Sequence, residues 1–326
     1  MRAFTLRSYG SPDRFDLVET DTPVPADDEV LVRVRATSVN PYDWHYMRGE
    51  PSIVRLMPGF GLRAPKFTIL GCDMAGQVEA VGKSVTGFRP GDEVFGLLES
   101  GGFAEYVSVR AANLVRKPAN LSYEQAAAVP MAAVTALLAV RDVGGVKPGQ
   151  QVLVNGASGG VGTFAVQIAR ALGASVAGVC SARHVDLVRS LGAEEVIDYG
   201  TADFTRGGQR YDVLVDSAGS RSAVACRRAL TRRGTLVLVG GQAGRWIQPM
   251  GHVMAAFAVG PFMSQRVALT QVTSAAGKDP LAAVASLIED GAVTPVIDRS
   301  YPFEELPAAV RYQEEGHASG KVVVSL

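Results

Sequence analysis

Residues 151–173 read Q-V-L-V-N-G-A-S-G-G-V-G-T-F-A-V-Q-I-A-R-A-L-G. Val152, Leu153 and Val154 form a short apolar run of the buried-strand type. Gly156–Gly162 then turns the chain, Thr163–Leu172 continues in good helix formers, and Gly173 stops them. Small residues in such a turn let the backbone approach a pyrophosphate, and the helix that follows offers its unpaired N-terminal N–H groups. Written as G-x-G-x-x-G, the match runs through Ala157, Gly159 and Gly162, with alanine in place of the first glycine. The pattern alone is weak. Here a strand precedes it, a helix follows, and a second strand is expected at Ser175–Cys180. The stretch predicts a βαβ unit holding a dinucleotide through Ala157, Ser158, Gly159, Gly160, Val161 and Gly162. The alternative is a tight strand–helix turn that binds nothing.

The end of the second strand selects among dinucleotides. An acidic residue there would hold a ribose 2′-hydroxyl. This chain has Cys180-Ser181-Ala182-Arg183-His184, with no carboxylate before Asp186. A hydroxyl and a guanidinium suit a 2′-phosphate that a carboxylate would repel, so the expected cofactor is NADPH, held by Ser181 and Arg183. Arg183 also reads as a solvated helix start, and His184 as a helix-cap or surface residue or as a group that charges beside a phosphate.

Outward from this unit, strands are expected at 175–180, 194–197, 212–216, 235–239 and 266–272, and helices at 162–172, 184–191, 220–230 and 279–290. Alternation of this kind predicts a parallel sheet covered on both faces. Residues 1–125 differ: short strands such as Val30–Ala36, Gly76–Gly82, Gly91–Gly96 and Gly102–Val109 follow Pro- and Gly-rich turns and predict a mostly β domain. Ser122 with Gln125 three residues on is a capping-box pattern, opening a helix expected to run to Leu138. The tail from Val296 reads strand, Pro-Phe turn, helix and final strand.

Composition bounds the function. A length of 326 residues suggests two domains, and 32 basic against 32 acidic residues give no footprint for nucleic acid or an anionic membrane. Cys72, Cys180 and Cys226 are too scattered for a metal knuckle or a disulfide framework. The N-terminus lacks a signal-peptide core, and no apolar run approaches the roughly 18 residues of a membrane span, so a reducing cytoplasm is the expected setting.

The order of a β-rich domain, a Rossmann unit with A-S-G-G-V-G, and a return to the first domain resembles the medium-chain dehydrogenase/reductase superfamily. The strings V-N-P-Y-D-W (39–44), L-G-C-D-M-A-G (70–76), G-D-E-V-F-G (91–96), A-A-A-V-P-M-A-A-V-T-A (126–136) and S-G-K-V-V-V (319–324) are similar to its zinc-independent quinone oxidoreductase branch. The resemblance covers essentially the whole chain. It implies an α/β fold, with a GroES-like mostly-β catalytic domain at 1–125 and 272–326 and a doubly wound Rossmann domain at 126–271. It also implies a homodimer.

Zinc-dependent relatives carry a Cys ligand where this chain has Asn40, and Gly-His-Glu where it has Gly71-Cys72-Asp73. One thiol and one carboxylate do not make a three-ligand site, so no metal is expected, and Cys72 reads as a packing residue. Without a Lewis acid, conjugated acceptors are the easier substrates, because reduction then needs positioning and a hydrogen-bond donor at the oxygen. Resemblance and chemistry together point to Asn40, Tyr46 and Asp43 as catalytic candidates. Each keeps a second reading: a turn at Asn40-Pro41, a pocket wall at Tyr46, and a structural pair at Asp43, with Arg48 as the candidate partner.

The resemblance further implies that Thr135 approaches the nicotinamide and Tyr199 the 2′-phosphate side. Ser217, Ala218, Gly240 and Gly241 would close strands at the cofactor edge. Lys321 would face the cofactor, or else be a solvated strand residue. Residues 50–67, with Ile53, Val54, Leu56, Met57, Phe60 and Leu62, read as a lid or a packing cover. Residues 245–262 read as pocket lining, core or dimer contact, with His252 structural. The expected function is NADPH-dependent hydride transfer to a small hydrophobic quinone or α,β-unsaturated carbonyl, with no nucleic-acid or membrane partner. A zinc alcohol dehydrogenase and a non-catalytic NADPH-binding accessory protein are the alternatives.

Overall fold

The computed structural model describes residues 1–56, 60–240, 250–270, 272 and 278–326. Met57, Gly241 and residues 245–249, named above, lie outside this set. The fifteen strands described are β1 (Arg2–Leu6), β2 (Phe15–Glu19), β3 (Glu29–Val39), β4 (Asp73–Val81), β5 (Glu93–Leu97), β6 (Tyr106–Arg110), β7 (Leu114–Arg116), β8 (Gln151–Asn155), β9 (Ser175–Cys180), β10 (Glu195–Asp198), β11 (Tyr211–Asp216), β12 (Leu230–Leu238), β13 (Arg266–Leu269), β14 (Ile297–Pro302) and β15 (Lys321–Ser325). The α-helices are α1 (Pro41–Arg48), α2 (Tyr123–Ala127), α3 (Pro130–Leu137), α4 (Gly160–Ala171), α5 (Val185–Ser190), α6 (Ala223–Cys226), α7 (Met250–Val259), α8 (Lys278–Glu289) and α9 (Leu306–Glu314). Among the described residues no helix is long and apolar enough to cross a membrane.

The chain divides into two compact units, one of residues 1–131, 273–289 and 295–326, the other of 132–272 and 290–294. The first is GroES-like. Its seven-stranded sheet runs β14-β15-β3-β4-β5-β7, with β6 also pairing β3, and β1 and β2 form a separate ribbon. The long strand β3 pairs antiparallel with β4, β6 and β15, and its register shifts near Leu31–Val32 and Val34–Ala36. Val30, Val32, Val34, Met74, Val78 and Val94 fill one core cluster; Phe4, Phe15, Trp44, Tyr46, Phe103 and Phe303 belong to another.

The second unit is a Rossmann fold. Six parallel strands lie in the order β10-β9-β8-β11-β12-β13, so the order reverses between β8 and β11. Val152, Leu153 and Val154 are fully buried, as a sheet covered on both faces requires. Gln167 on α4 holds the short return segment: its Nε2 donates to Thr294 O at 3.0 Å, and its Oε1 accepts from Thr294 N–H at 2.8 Å.

Two expected helices differ. The helix from Ser122 breaks into α2 and α3, because Pro130 has no N–H to continue the first and suits the start of the second. The capping box that opens it is present, with Ser122 Oγ accepting from Gln125 N–H and Gln125 Oε1 from Ser122 N–H. The helix expected at 220–230 shrinks to α6 and a 3₁₀ turn, Arg227–Ala229, because Leu230 already pairs with Tyr211 at the start of β12. Strand β13 ends at Leu269, short of the expected residue 272.

Candidate active site

In the Rossmann unit, the reversal of strand order sets the carboxyl ends of β8 and β11 side by side, the place where such sheets bind ligands. The tight turn after β8 is made by Gly156, at φ +86°. The left-handed conformation thus falls one residue before Ala157. Ala157 instead turns inward: its side chain is fully buried against Gly178 and its N–H donates to Val179 O at 2.9 Å. Its side chain thus supports the turn from below. A Cβ on Gly162 would overlap Gly156 O, so glycine is required for α4 to sit against the turn. At Gly159 an added Cβ would meet only Gly156 O at 3.5 Å, which leaves room beside the helix end. The N–H groups of Gly160, Val161 and Gly162 open α4 with no earlier helical turn to bond to. These residues fit a pyrophosphate.

Ser181 follows β9, with its Oγ 3.2 Å from His184 Nδ1. Arg183 is exposed and makes no ion pair among the described residues; Asp186, the nearest carboxylate in sequence, lies 3.8 Å from Arg189. Tyr199 is exposed after β10 and its N–H donates to Cys180 O. Ser217 Oγ donates to Asn155 O at 2.8 Å, closing the end of β8, and Ala218 and Gly240 lie beside it. Thr135 is buried on α3. Buried Asp216, which ends β11, went unnoticed in the sequence. Its Oδ1 accepts from Asn155 Nδ2 at 2.8 Å and Gly219 N–H at 2.9 Å, tying the two strand ends together, and burial pushes its carboxyl up. His252 Nε2 lies 3.9 Å from its other oxygen.

In the GroES-like unit, antiparallel register builds a buried polar cluster. Ser38 pairs with Asp73 and Val39 with Val322, so Asn40 and Lys321 come together one residue farther on. Asn40, Asp73 and Lys321 are 2%, 0% and 3% exposed. Asp73 Oδ2 accepts from Ser38 Oγ at 2.6 Å, Asn40 Nδ2 at 2.9 Å and Lys321 Nζ at 3.2 Å; its Oδ1 accepts from Met131 N–H at 2.7 Å. Lys321 Nζ also donates to Asn40 Oδ1. Lys321 is therefore not a solvated strand residue, and its ammonium is committed to Asn40 and Asp73. The signal for this hub was a lone acid opening the apolar run D-M-A at 73–75.

Asp43 is buried, and accepts from Asn40 N–H at 2.8 Å and Gly71 N–H at 3.2 Å. It does not pair with Arg48, which makes a two-pronged pair with Glu314 at 2.6 and 3.0 Å. Burial foremost, and Asp73 in addition, push the Asp43 carboxyl up to about 7, against the two N–H groups and the Lys321 ammonium. The folded protein then holds a proton that the unfolded chain releases near the ordinary aspartate value of 3.8. Stability from this group is full below that value and is lost as pH rises towards 7, by at most about 1.4 kcal/mol per pH unit. Urea midpoints at pH 5 and pH 7 should show this fall in the wild type and a smaller one in Asp43→Asn; equal slopes would refute it.

Tyr46 is a buried clasp. Its oxygen accepts from Lys66 N–H at 3.1 Å and Phe67 N–H at 2.9 Å, and its ring lies 4.7 Å from that of Phe60. In the 50–67 segment Val54 is buried while Ile53, Leu56 and Leu62 are exposed, so only part of it serves as a packing cover. Cys72 is buried, and burial, then the neighbouring Asp43 and Asp73, push its thiol well up. Among the described residues no three His, Cys, Asp or Glu side chains converge as a metal site.

Residues 26–119 match the alcohol dehydrogenase GroES-like domain, and residues 191–324 match the zinc-binding dehydrogenase family. The chain is 32% identical to the chloroplast envelope quinone oxidoreductase homolog of Arabidopsis thaliana, over 99% of this chain and 98% of that one. The chain belongs to the medium-chain dehydrogenase/reductase superfamily. Within it, the quinone oxidoreductase-like branch is supported by the Escherichia coli quinone oxidoreductase complexed with NADPH, at a TM-score of 0.83 and 26% identity over the full length of both. A structure described as an NAD-dependent alcohol dehydrogenase is similar at a TM-score of 0.85 and 30% identity, again over both full lengths. As a member of this branch the chain is an oxidoreductase using a nicotinamide cofactor.

Proposed function

We propose that the chain is an NADPH-dependent, zinc-independent oxidoreductase acting on a quinone or an α,β-unsaturated carbonyl. The observation that carries this reading is the buried Asn40–Asp73–Lys321 cluster. Its carboxylate already faces an ammonium 3.2 Å away, and that ammonium would repel a divalent cation. Asn40 itself is a poor zinc ligand, and the Cys72 thiol stays protonated. A reduced nicotinamide cofactor, its pyrophosphate held at Gly159–Gly162, would supply a hydride. Substrate reduction takes up that hydride and one proton, and negative charge gathers on the substrate oxygen before the proton arrives. Asn40 offers an amide N–H to that oxygen, while the aromatic Tyr46–Phe60–Phe67 group and the apolar 50–67 segment suit a hydrophobic acceptor. Tyr199, Ser217, Ala218, Gly240, Gly241 and Thr135 remain cofactor-side assignments of the same proposal. So do a homodimer and a cytoplasmic setting, which the three buried free cysteines fit.

Cofactor choice rests on Ser181 and on Arg183, which makes no ion pair among the described residues, with no acidic residue at the end of β9. The test is oxidation of NADPH, with NADH in parallel, using phenanthrenequinone and a medium-chain enone. Turnover should favour NADPH. Arg183→Glu should lower kcat/KM for NADPH by about 10- to 100-fold, as loss of a charge-assisted contact does, and leave NADH within a few-fold. Turnover with NADH alone would overturn the cofactor assignment. Tight NADPH binding without turnover on a broad acceptor panel would favour the accessory-protein reading.

A further inference from the structure

The geometry points to Lys321 as the positioning residue that fixes which way the Asn40 amide faces, leaving one buried N–H for the substrate oxygen. The inference rests on the reductase reading above and deepens it. Asn40 is a side chain whose two ends can exchange by a half-turn, and a donor at the site exists only if the nitrogen end is held in one place. An ammonium can only donate and a carboxylate can only accept. Lys321 Nζ donates to Asn40 Oδ1, and Asn40 Nδ2 donates to Asp73 Oδ2 at 2.9 Å. The two partners therefore assign the ends without ambiguity. A half-turn would set Oδ1 against the carboxylate and Nδ2 against the ammonium, two repulsive contacts in a buried setting.

The accounting of donors then singles out one hydrogen. The Asn40 oxygen is taken by Lys321. One of its two N–H bonds goes to Asp73, and the other has no acceptor among the described residues. Asn40 is 2% exposed, so this N–H is held away from bulk water. The Lys321 ammonium is itself held, by Asp73 Oδ2 at 3.2 Å, and Ser38 Oγ steadies the same oxygen at 2.6 Å. The backbone of Asn40 is pinned through its N–H to Asp43 Oδ2 at 2.8 Å. Every group around the amide is fixed, as a donor prearranged for developing charge requires. Lys321 touches no reacting atom in this scheme and acts through Asn40.

A double-mutant cycle with Lys321→Met and Asn40→Ala separates the roles. Lys321→Met should lower kcat by at least about 10-fold, in keeping with the loss of one oriented donor. NADPH affinity, read by the cofactor's own fluorescence, should stay within about 2-fold of the wild type, a change of less than about 0.5 kcal/mol. In the Asn40→Ala background, Lys321→Met should add less than about 3-fold, because its effect passes through Asn40. Independent, multiplying losses would overturn the proposal, and so would a tenfold loss of NADPH affinity with kcat retained. A second arm needs no turnover and reads the side-chain amide of Asn40 by ¹H–¹⁵N NMR, assigned by its absence in Asn40→Ala. In the wild type its two protons should be distinct and sharp; in Lys321→Gln, the gentler variant, they should shift and broaden as the amide loses its lock. An unchanged Asn40 signal in Lys321→Gln would overturn the proposal. If no acceptor is turned over, the reductase reading fails, and the amide spectrum still decides whether Lys321 orients Asn40.

Discussion

Replacing Gly162 by alanine should abolish measurable NADPH binding and cost the fold about 2–3 kcal/mol, the upper range for overpacking. The reason is backbone against backbone. A Cβ at this position would overlap Gly156 O and lie 2.8 Å from Ala157 Cα, and neither atom has a rotamer by which to move away. Relief requires the first turn of α4 to leave the end of β8, and that turn carries the N–H groups of Gly160, Val161 and Gly162. Fold and site therefore fail together. Gly159→Ala is the control, since its Cβ would meet only Gly156 O at an ordinary 3.5 Å. It should keep the fold, and crowd only the bound phosphate. Fluorescence titration with NADPH and urea unfolding read the two effects; a Gly162→Ala protein with wild-type affinity would sink this account of the turn.

The second large effect is expected at Asp73. Asp73→Ala should cost about 3–5 kcal/mol, the range for breaking a buried ion pair by removing one partner. Four donors lose their acceptor at once: Ser38 Oγ, Asn40 Nδ2, Met131 N–H and Lys321 Nζ. Lys321 is left buried with a positive charge and, among the described residues, the Asn40 oxygen as its one remaining hydrogen-bond acceptor. Asp73→Asn should cost less, since it keeps the shape and an acceptor oxygen and removes only the charge. Urea midpoints for the two variants check the order. A loss below about 1 kcal/mol for Asp73→Ala would mean that water enters and satisfies the cluster, contrary to its burial.

The Rossmann unit was legible because its signals are local. Val152–Val154, the glycine run and the helix formers after it lie within one stretch, and the alternation beyond it could only build a parallel sheet. Within the expected turn at Gly156–Gly162 the template puts its first glycine at Ala157, whereas the left-handed residue is Gly156; a three-glycine template does not register which residue takes positive φ. The polar cluster was not legible, because its members lie far apart in the chain. Asn40 and Cys72–Asp73 were noticed as replacements for metal ligands. That Lys321 joins them depends on β15 pairing with β3 in a register that places Val322 opposite Val39, and no local pattern encodes that. The same limit explains Arg48, whose candidate partner in the local sequence was Asp43 and whose partner in space is Glu314. Tyr46 read as a phenol available for chemistry or as a pocket wall; that its oxygen accepts the N–H groups of Lys66 and Phe67 is set by a segment twenty residues on, which no local pattern encodes.

On the proposed reading, the three cysteines bear on how the protein would survive its own substrates. Quinones and enones are electrophiles that alkylate thiolates, and an enzyme that concentrates them exposes its own sulfur atoms to that reaction. Burial pushes all three thiols up: Cys72 well above its ordinary range, Cys180 above it, and Cys226 to about 12. None is exposed, so at neutral pH the sulfur is both protonated and screened. Cys72 lies next in sequence to the proposed catalytic cluster, where attack would be most damaging, and the carboxylates of Asp43 and Asp73 that organise the cluster also suppress its thiolate. If the proposed substrates are right, the packing that stabilises the fold would double as chemical armour against self-arylation.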